Sequence, residues 1–135
     1  MSNITQVVRT DKHMTTLKKG IVATELDQVL SSTGPYTVFA PSDLAFEKLE
    51  KGTMEKLLLP ENKAKLTELL NRHVVKGKLS FDELKDGEKL KTLNGSEVLV
   101  KVKDGKVQIN DATIQTHDVK TSNGVIHSVD SVLNN

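Results

Sequence analysis

Apolar positions keep a helical spacing over most of the first half of the chain and switch to alternation from Lys89 onward. Thr24 and Asp27 stand at capping-box spacing ahead of Leu26, Val29 and Leu30, which predicts a helix that Gly34-Pro35 ends. The run Tyr36 to Ala40 predicts a strand stopped by Pro41. Ser42 is placed to cap a helix carrying Leu44, Ala45, Phe46 and Leu49, with Asp43 and Glu47 near its positive end and Gly52 past its last turn. Pro60 suits the opening of a helix over 61–75, because its missing N–H costs nothing in a first turn. Leu66, Leu69, Leu70 and His73 follow at i, i+3, i+4 and i+7, so His73 is expected on the apolar stripe. Gly77 closes that segment, and Ser80 with Glu83 forms a second capping box over a short helix ending near Gly87.

In LKTLNGSEVLVKVKDGKVQIND the pairs Asn94-Gly95 and Asp104-Gly105 predict two-residue hairpin loops, whose central positions both need φ > 0. Pairing about Asp104-Gly105 sets Val102 against Val107, Val100 against Ile109 and Lys101 against Gln108, giving one apolar and one polar face. Lys103 falls opposite Lys106, a like-charge pair that discourages edge-to-edge association. A last strand, Val125 to Leu133, is expected after a turn at Asn123-Gly124. Helices in one half and antiparallel hairpins in the other define an α+β class, and no repeat or linker divides 1–135, so one domain is expected.

Charge and composition narrow the function. Lys plus Arg at 19 against Asp plus Glu at 18 leaves no field of one sign to draw nucleic acid or an anionic membrane, and 3% aromatics offer few faces for base stacking. No cysteine means no disulfide, thiolate nucleophile or cysteine metal site. No apolar run reaches membrane-spanning length, so direct insertion is not expected; Met1-Ser2-Asn3 opens without a leader, implying a cytoplasmic protein or a trimmed one.

Candidate chemistry is thin. His73 and His127 could serve a small-ligand or metal site with Asp43 or Asp130, but no HxH, HxxxH or HExxH spacing supports a metal, and a core histidine bonded to backbone or carboxylate is the plainer expectation. No GxSxG elbow presents a serine nucleophile, and no GxGxxG or GxxxxGK[ST] cradles a phosphate. Neither enzymatic activity nor a cofactor or metal is expected. The charged stretches Glu47 to Lys51 and Lys101 to Lys106 mix signs, as solvated faces do.

Three separated motifs carry a resemblance. TVFAPSDLAF (37–46) and NGVIHSVDSVL (123–133) resemble the two signatures of the fasciclin domain, and RHVVKGKL (72–79) resembles the tyrosine-histidine segment between them. The likeness runs from NITQVVRTDKHMTTLKKGIVATELDQVL to TLNGSEVLV. It implies a wedge-shaped β-sandwich with helices packed on it, in which the two signatures are adjacent central strands. Thr37, Phe39, Pro41, Asp43, His73, Asn123, Gly124, His127 and Asp130 are then expected to be scaffold.

The resemblance also implies a non-enzymatic module of secreted, periplasmic or cell-surface proteins, acting in adhesion and in contact with extracellular protein or polysaccharide. A bacterial exported protein is expected. Arg72 replaces the tyrosine of the tyrosine-histidine motif, and Thr116-His117-Asp118-Val119-Lys120 fills the Glu-Pro-Asp-Ile-Met segment of integrin-binding members, matching only at Asp118 and roughly at Val119. Integrin binding therefore does not carry over. A contact surface is expected from Arg72 through Lys76 and Lys78 and across His117, Asp118, Val119 and Lys120, with Arg72 and Asp118 as exposed charges of little weight for stability.

Overall fold

The computed structural model describes residues 2–133; Met1 and the last two positions of the expected 1–135 domain lie outside them. Three helices open the fold: α1 (Ile4–Thr10), α2 (Thr15–Thr24) and α3 (Leu26–Leu30). Strand β1 (Tyr36–Pro41) is followed by α4 (Asp43–Glu47), α5 (Thr53–Leu57), a 3-10 turn at Pro60–Asn62 and α6 (Lys63–Asn71). After β2 (Val74–Lys76) and a 3-10 turn at Phe81–Glu83 come β3 (Lys89–Lys91), β4 (Glu97–Lys103), β5 (Lys106–Ile109), β6 (Ala112–Thr113), β7 (Val119–Thr121) and β8 (Gly124–Val129).

The strands form two four-stranded sheets, ordered β2-β1-β8-β7 and β3-β4-β5-β6. In the first, β1 and β8 are central and parallel, in register from Tyr36 against Gly124 to Pro41 against Val129. Both are covered on both faces, which suits the near-continuous apolar character of their sequences. One face, with Val38, Ala40, Val74 and Ile126, packs under Leu17, Ile21, Leu66 and Leu70 of α2 and α6. The other, with Phe39, Val75 and Val129, meets Val98, Val100, Val107 and Ile109 of the second sheet. Two cores thus share one pair of strands.

The β4–β5 hairpin has the expected register, including Lys103 opposite Lys106, and Asp104 and Gly105 both hold positive φ (53° and 77°). The other turns differ from expectation. At Asn94-Gly95 only Gly95 is left-handed; Thr92 pairs with Ser96 around a three-residue loop. Gly124 is the first residue of β8 rather than a turn residue, and a β-carbon there would lie 1.9 Å from the Tyr36 carbonyl oxygen across the parallel pair. Glycine is required by that close approach. β8 itself stops at Val129 rather than Leu133.

The helix expected over 61–75 ends at Asn71. Val74 and Val75 instead pair with Val38 and Thr37, because two β-branched residues gain more from a buried edge of the sheet than from another helical turn. Thr24 closes α2 instead of capping α3: its hydroxyl donates to the Gly20 carbonyl, and the left-handed Glu25 makes the break. Ser42 does cap α4, but that helix stops at Glu47 and leaves Leu44 71% exposed.

Candidate functional site

His73 and His127 are both buried, and each ring is clamped by two backbone groups. Nδ1–H of His73 donates to the Leu69 carbonyl at 2.8 Å, while Nε2 accepts from the Leu133 N–H at 2.8 Å. This neutral tautomer ties the end of α6 to the segment following β8. Burial, reinforced by the nearby charge of Arg72, lowers the pKa of His73 to about 4 against the pull of the Leu69 carbonyl. His127 uses the opposite tautomer: Nδ1 accepts from the Asp118 N–H at 3.1 Å and Nε2–H donates to the Leu79 carbonyl at 2.7 Å. Burial lowers its pKa too. With both nitrogens of both rings engaged, neither histidine has a lone pair for a metal. Among the described residues no group of three or more metal-ligating side chains converges.

Other motif residues are spent in the same way. Asp43 reaches across to α2, whose own N-cap, Met14, offers no side-chain bond. Its carboxylate accepts from the Thr16 N–H and the Thr15 hydroxyl, each at 2.8 Å. Burial raises its pKa, but these bonds outweigh it and hold the carboxyl below its usual value. Asn123 completes all four of its bonds. Its amide donates to the Leu30 and Ser32 carbonyls, and its oxygen accepts from the Ile4 N–H and the Thr121 hydroxyl. The Thr37 hydroxyl bridges the Gly77 carbonyl and the Leu79 N–H, fixing the loop after β2. Asp130 accepts from the Thr113 N–H at 2.8 Å, joining β8 to β6. Phe39 stacks on His127 at 5.9 Å, and Pro41 ends β1 beside Val129.

The surface expected from Arg72 to Lys120 divides into two. Lys76 and Lys78 are both exposed, but Lys76, opposite Tyr36, lies on the helix-covered face, whereas the row Val75–Thr37–Val125–Lys120 puts Lys120 on the other face, which the Gly77–Leu79 loop carrying Lys78 crosses. His117 stacks on Phe81 at 3.9 Å, completing a rim with Lys78 and Lys120. Asp118 lies inside it but is scaffold: it holds φ 57°, clamps His127 through its N–H, and takes the Phe81 N–H on its carboxylate. That last bond, helped by His117, holds its carboxyl below the usual value. Val119 is half-buried behind the rim. Arg72 is elsewhere, in a cleft between α5 and α6.

Sequence reasoning picked out Asp43 but not the cleft it borders, about 290 Å³ between Met14, Leu44, Thr116 and Val119. The signal for it is Leu44, apolar yet exposed on a helix whose other face is buried. Sequence reasoning also missed Thr37 and Asn123 as hubs, since their partners are up to 119 positions away.

The fold and these residues define a two-sheet α+β domain in which the buried histidines, Asn123 and Thr37 hold loops and termini. A fasciclin domain model matches residues 12–135, and the chain belongs to the fasciclin domain family. It is 46% identical over 130 residues to protein sll1483 of Synechocystis, spanning 96% of this chain and 72% of that protein. It is 35% identical to the Synechocystis protein sll1735, over 98% of each. Against transforming growth factor-beta-induced protein ig-h3 of Sus scrofa the identity is 33%, over 98% of this chain and only 19% of that much longer protein. The solved FAS1 domain pair of the insect cell adhesion molecule fasciclin I superposes with a TM-score of 0.88 at 21% identity, covering 99% of this chain and 51% of that one.

Proposed function

We propose that this chain is a non-enzymatic contact module of an exported protein, secreted, periplasmic or held at the cell surface, which binds an extracellular or cell-surface protein or polysaccharide. One observation carries the reading: Asp43, Thr37, His73, Asn123, Asp118, His127 and Asp130 are committed to backbone partners, so the signature motifs hold no group free for chemistry. Exposed beside them is the rim of Lys78, His117 and Lys120. The solved neighbour's place in a cell adhesion molecule supports adhesion. Among the described residues no helix is long and apolar enough to cross a membrane.

The test compares wild-type protein with a Lys78→Glu/Lys120→Glu variant for retention on intact cells of the source organism. Exposed lysines contribute little to stability, so the melting temperature stays within a degree or two while saturable retention is lost. No saturable retention of the wild type, or equal retention of the variant, overturns the reading.

A further inference from the structure

Arg72 caps the end of α6 with its backbone and sends its side chain into a cleft of about 200 Å³ between α5 and α6. Leu49, Leu57 and Leu69 form the apolar floor; Lys65, Glu68 and Arg72 supply the polar wall. Nε of Arg72 is shielded from solvent and has no hydrogen-bond partner. Glu68 stands four residues before Arg72 on the helix face, yet no ion pair forms between them. A planar carboxylate fits the open end of a guanidinium fork in a bidentate manner, through charge-assisted hydrogen bonds. The remaining walls add two requirements. Three leucines call for an adjacent hydrocarbon face, and the Glu68 carboxylate calls for hydroxyl donors.

We propose that the α5–α6 cleft binds a single uronic acid residue of an acidic polysaccharide. The uronate carboxylate pairs with Arg72 and Lys65, its ring hydroxyls donate to Glu68, and the C–H face of the pyranose lies on the leucines. A bare inorganic anion leaves the leucine floor wet, and an aliphatic acid leaves Glu68 facing a like charge without a donor; the sugar acid meets all three demands. The cleft has room for one ring, so affinity for a chain comes from many domains engaging one polymer. This site goes beyond the contact reading above and uses none of its rim residues, so either can fail alone.

The experiment is a titration of the ¹⁵N-labelled wild-type domain with glucuronate, glucose and acetate, followed by amide shifts. Glucuronate is expected to shift Leu57, Leu69 and Arg72 with a Kd of about 1 mM, the level usual for a ligand of that size. Arg72→Gln weakens it about tenfold or more, as loss of a charge-assisted pair does. Lys65→Glu, at an exposed position, gives a weakening in the same direction should Arg72→Gln prove poorly folded. Shifts from acetate equal to those from glucuronate reduce the cleft to an anion site and overturn the proposal. Equal shifts from glucose, no saturation by glucuronate, or undiminished binding by both variants overturn it as well.

Discussion

Acidifying this domain by two pH units from neutrality costs it a measurable part of its stability through His73. In the unfolded chain that imidazole takes a proton near 6.5; in the fold it resists until about 4, because protonation would put a charge in the core and turn Nε2 against the Leu133 N–H. Between those values the unfolded state holds more protons, so lowering the pH favours it. At about 1.4 kcal/mol per tenfold change in proton affinity, the full difference is about 3 kcal/mol, of which about 2 kcal/mol is lost between about pH 7 and pH 5. His127, also lowered by burial, adds in the same direction. Asp43 and Asp118, held below the ordinary 3.8, are fully ionised throughout that window, and their contribution disappears only at lower pH. Urea unfolding at fixed ionic strength across the range measures the effect. A His73→Gln variant, whose amide can still donate to Leu69 and accept from Leu133, is expected to be less stable at neutral pH but to lose the larger part of the slope. Equal wild-type stability at both pH values, or an unchanged slope in the variant, refutes the claim that His73 is held neutral.

Two substitutions test the other joints. Gly124→Ala pushes a β-carbon to 1.9 Å from the Tyr36 carbonyl oxygen, which must part the central parallel strands; a loss of at least about 3 kcal/mol is expected in denaturant unfolding, and a near-neutral result contradicts the register. Asp43→Ala removes the distant cap of α2 and is expected to cost about 1–2 kcal/mol with no change in fold by circular dichroism, whereas an unaltered midpoint means Thr15 and Thr16 find other partners.

Local rules made the β4–β5 hairpin legible residue by residue, since alternation and the Asp104-Gly105 turn both act over a few positions. The capping bonds of Ser42 and the Ser80–Glu83 box were readable for the same reason. The end of α6 was not. The i, i+3, i+4 spacing continues to His73, and only the β-branched pair Val74-Val75 before Lys76-Gly77 hinted that the sheet would take over. The roles of Gly124 and Asp43 were less visible still, because one depends on a carbonyl 88 positions earlier in the chain and the other on helix amides 27 positions away. The family motifs gave both positions as scaffold without giving the reason. The Arg72 to Lys120 surface could not be assembled from sequence either: a helix end and an edge strand follow the same signature order while facing different grooves.

The parallel pairing of Tyr36–Pro41 with Gly124–Val129 also sets when the domain can become a solid. A chain emerging amino end first carries β1 with one of its two neighbours missing until residues 124–129 have followed, and Asn123 cannot bind Ile4, Leu30 and Ser32 before then. Closing such a long loop is slow compared with forming α1 to α6 or the β4–β5 hairpin, so the half-made chain holds helices and ribbons over an unfinished core. If the chain is exported, as proposed above, that delay keeps it pliable until its second signature has followed the first.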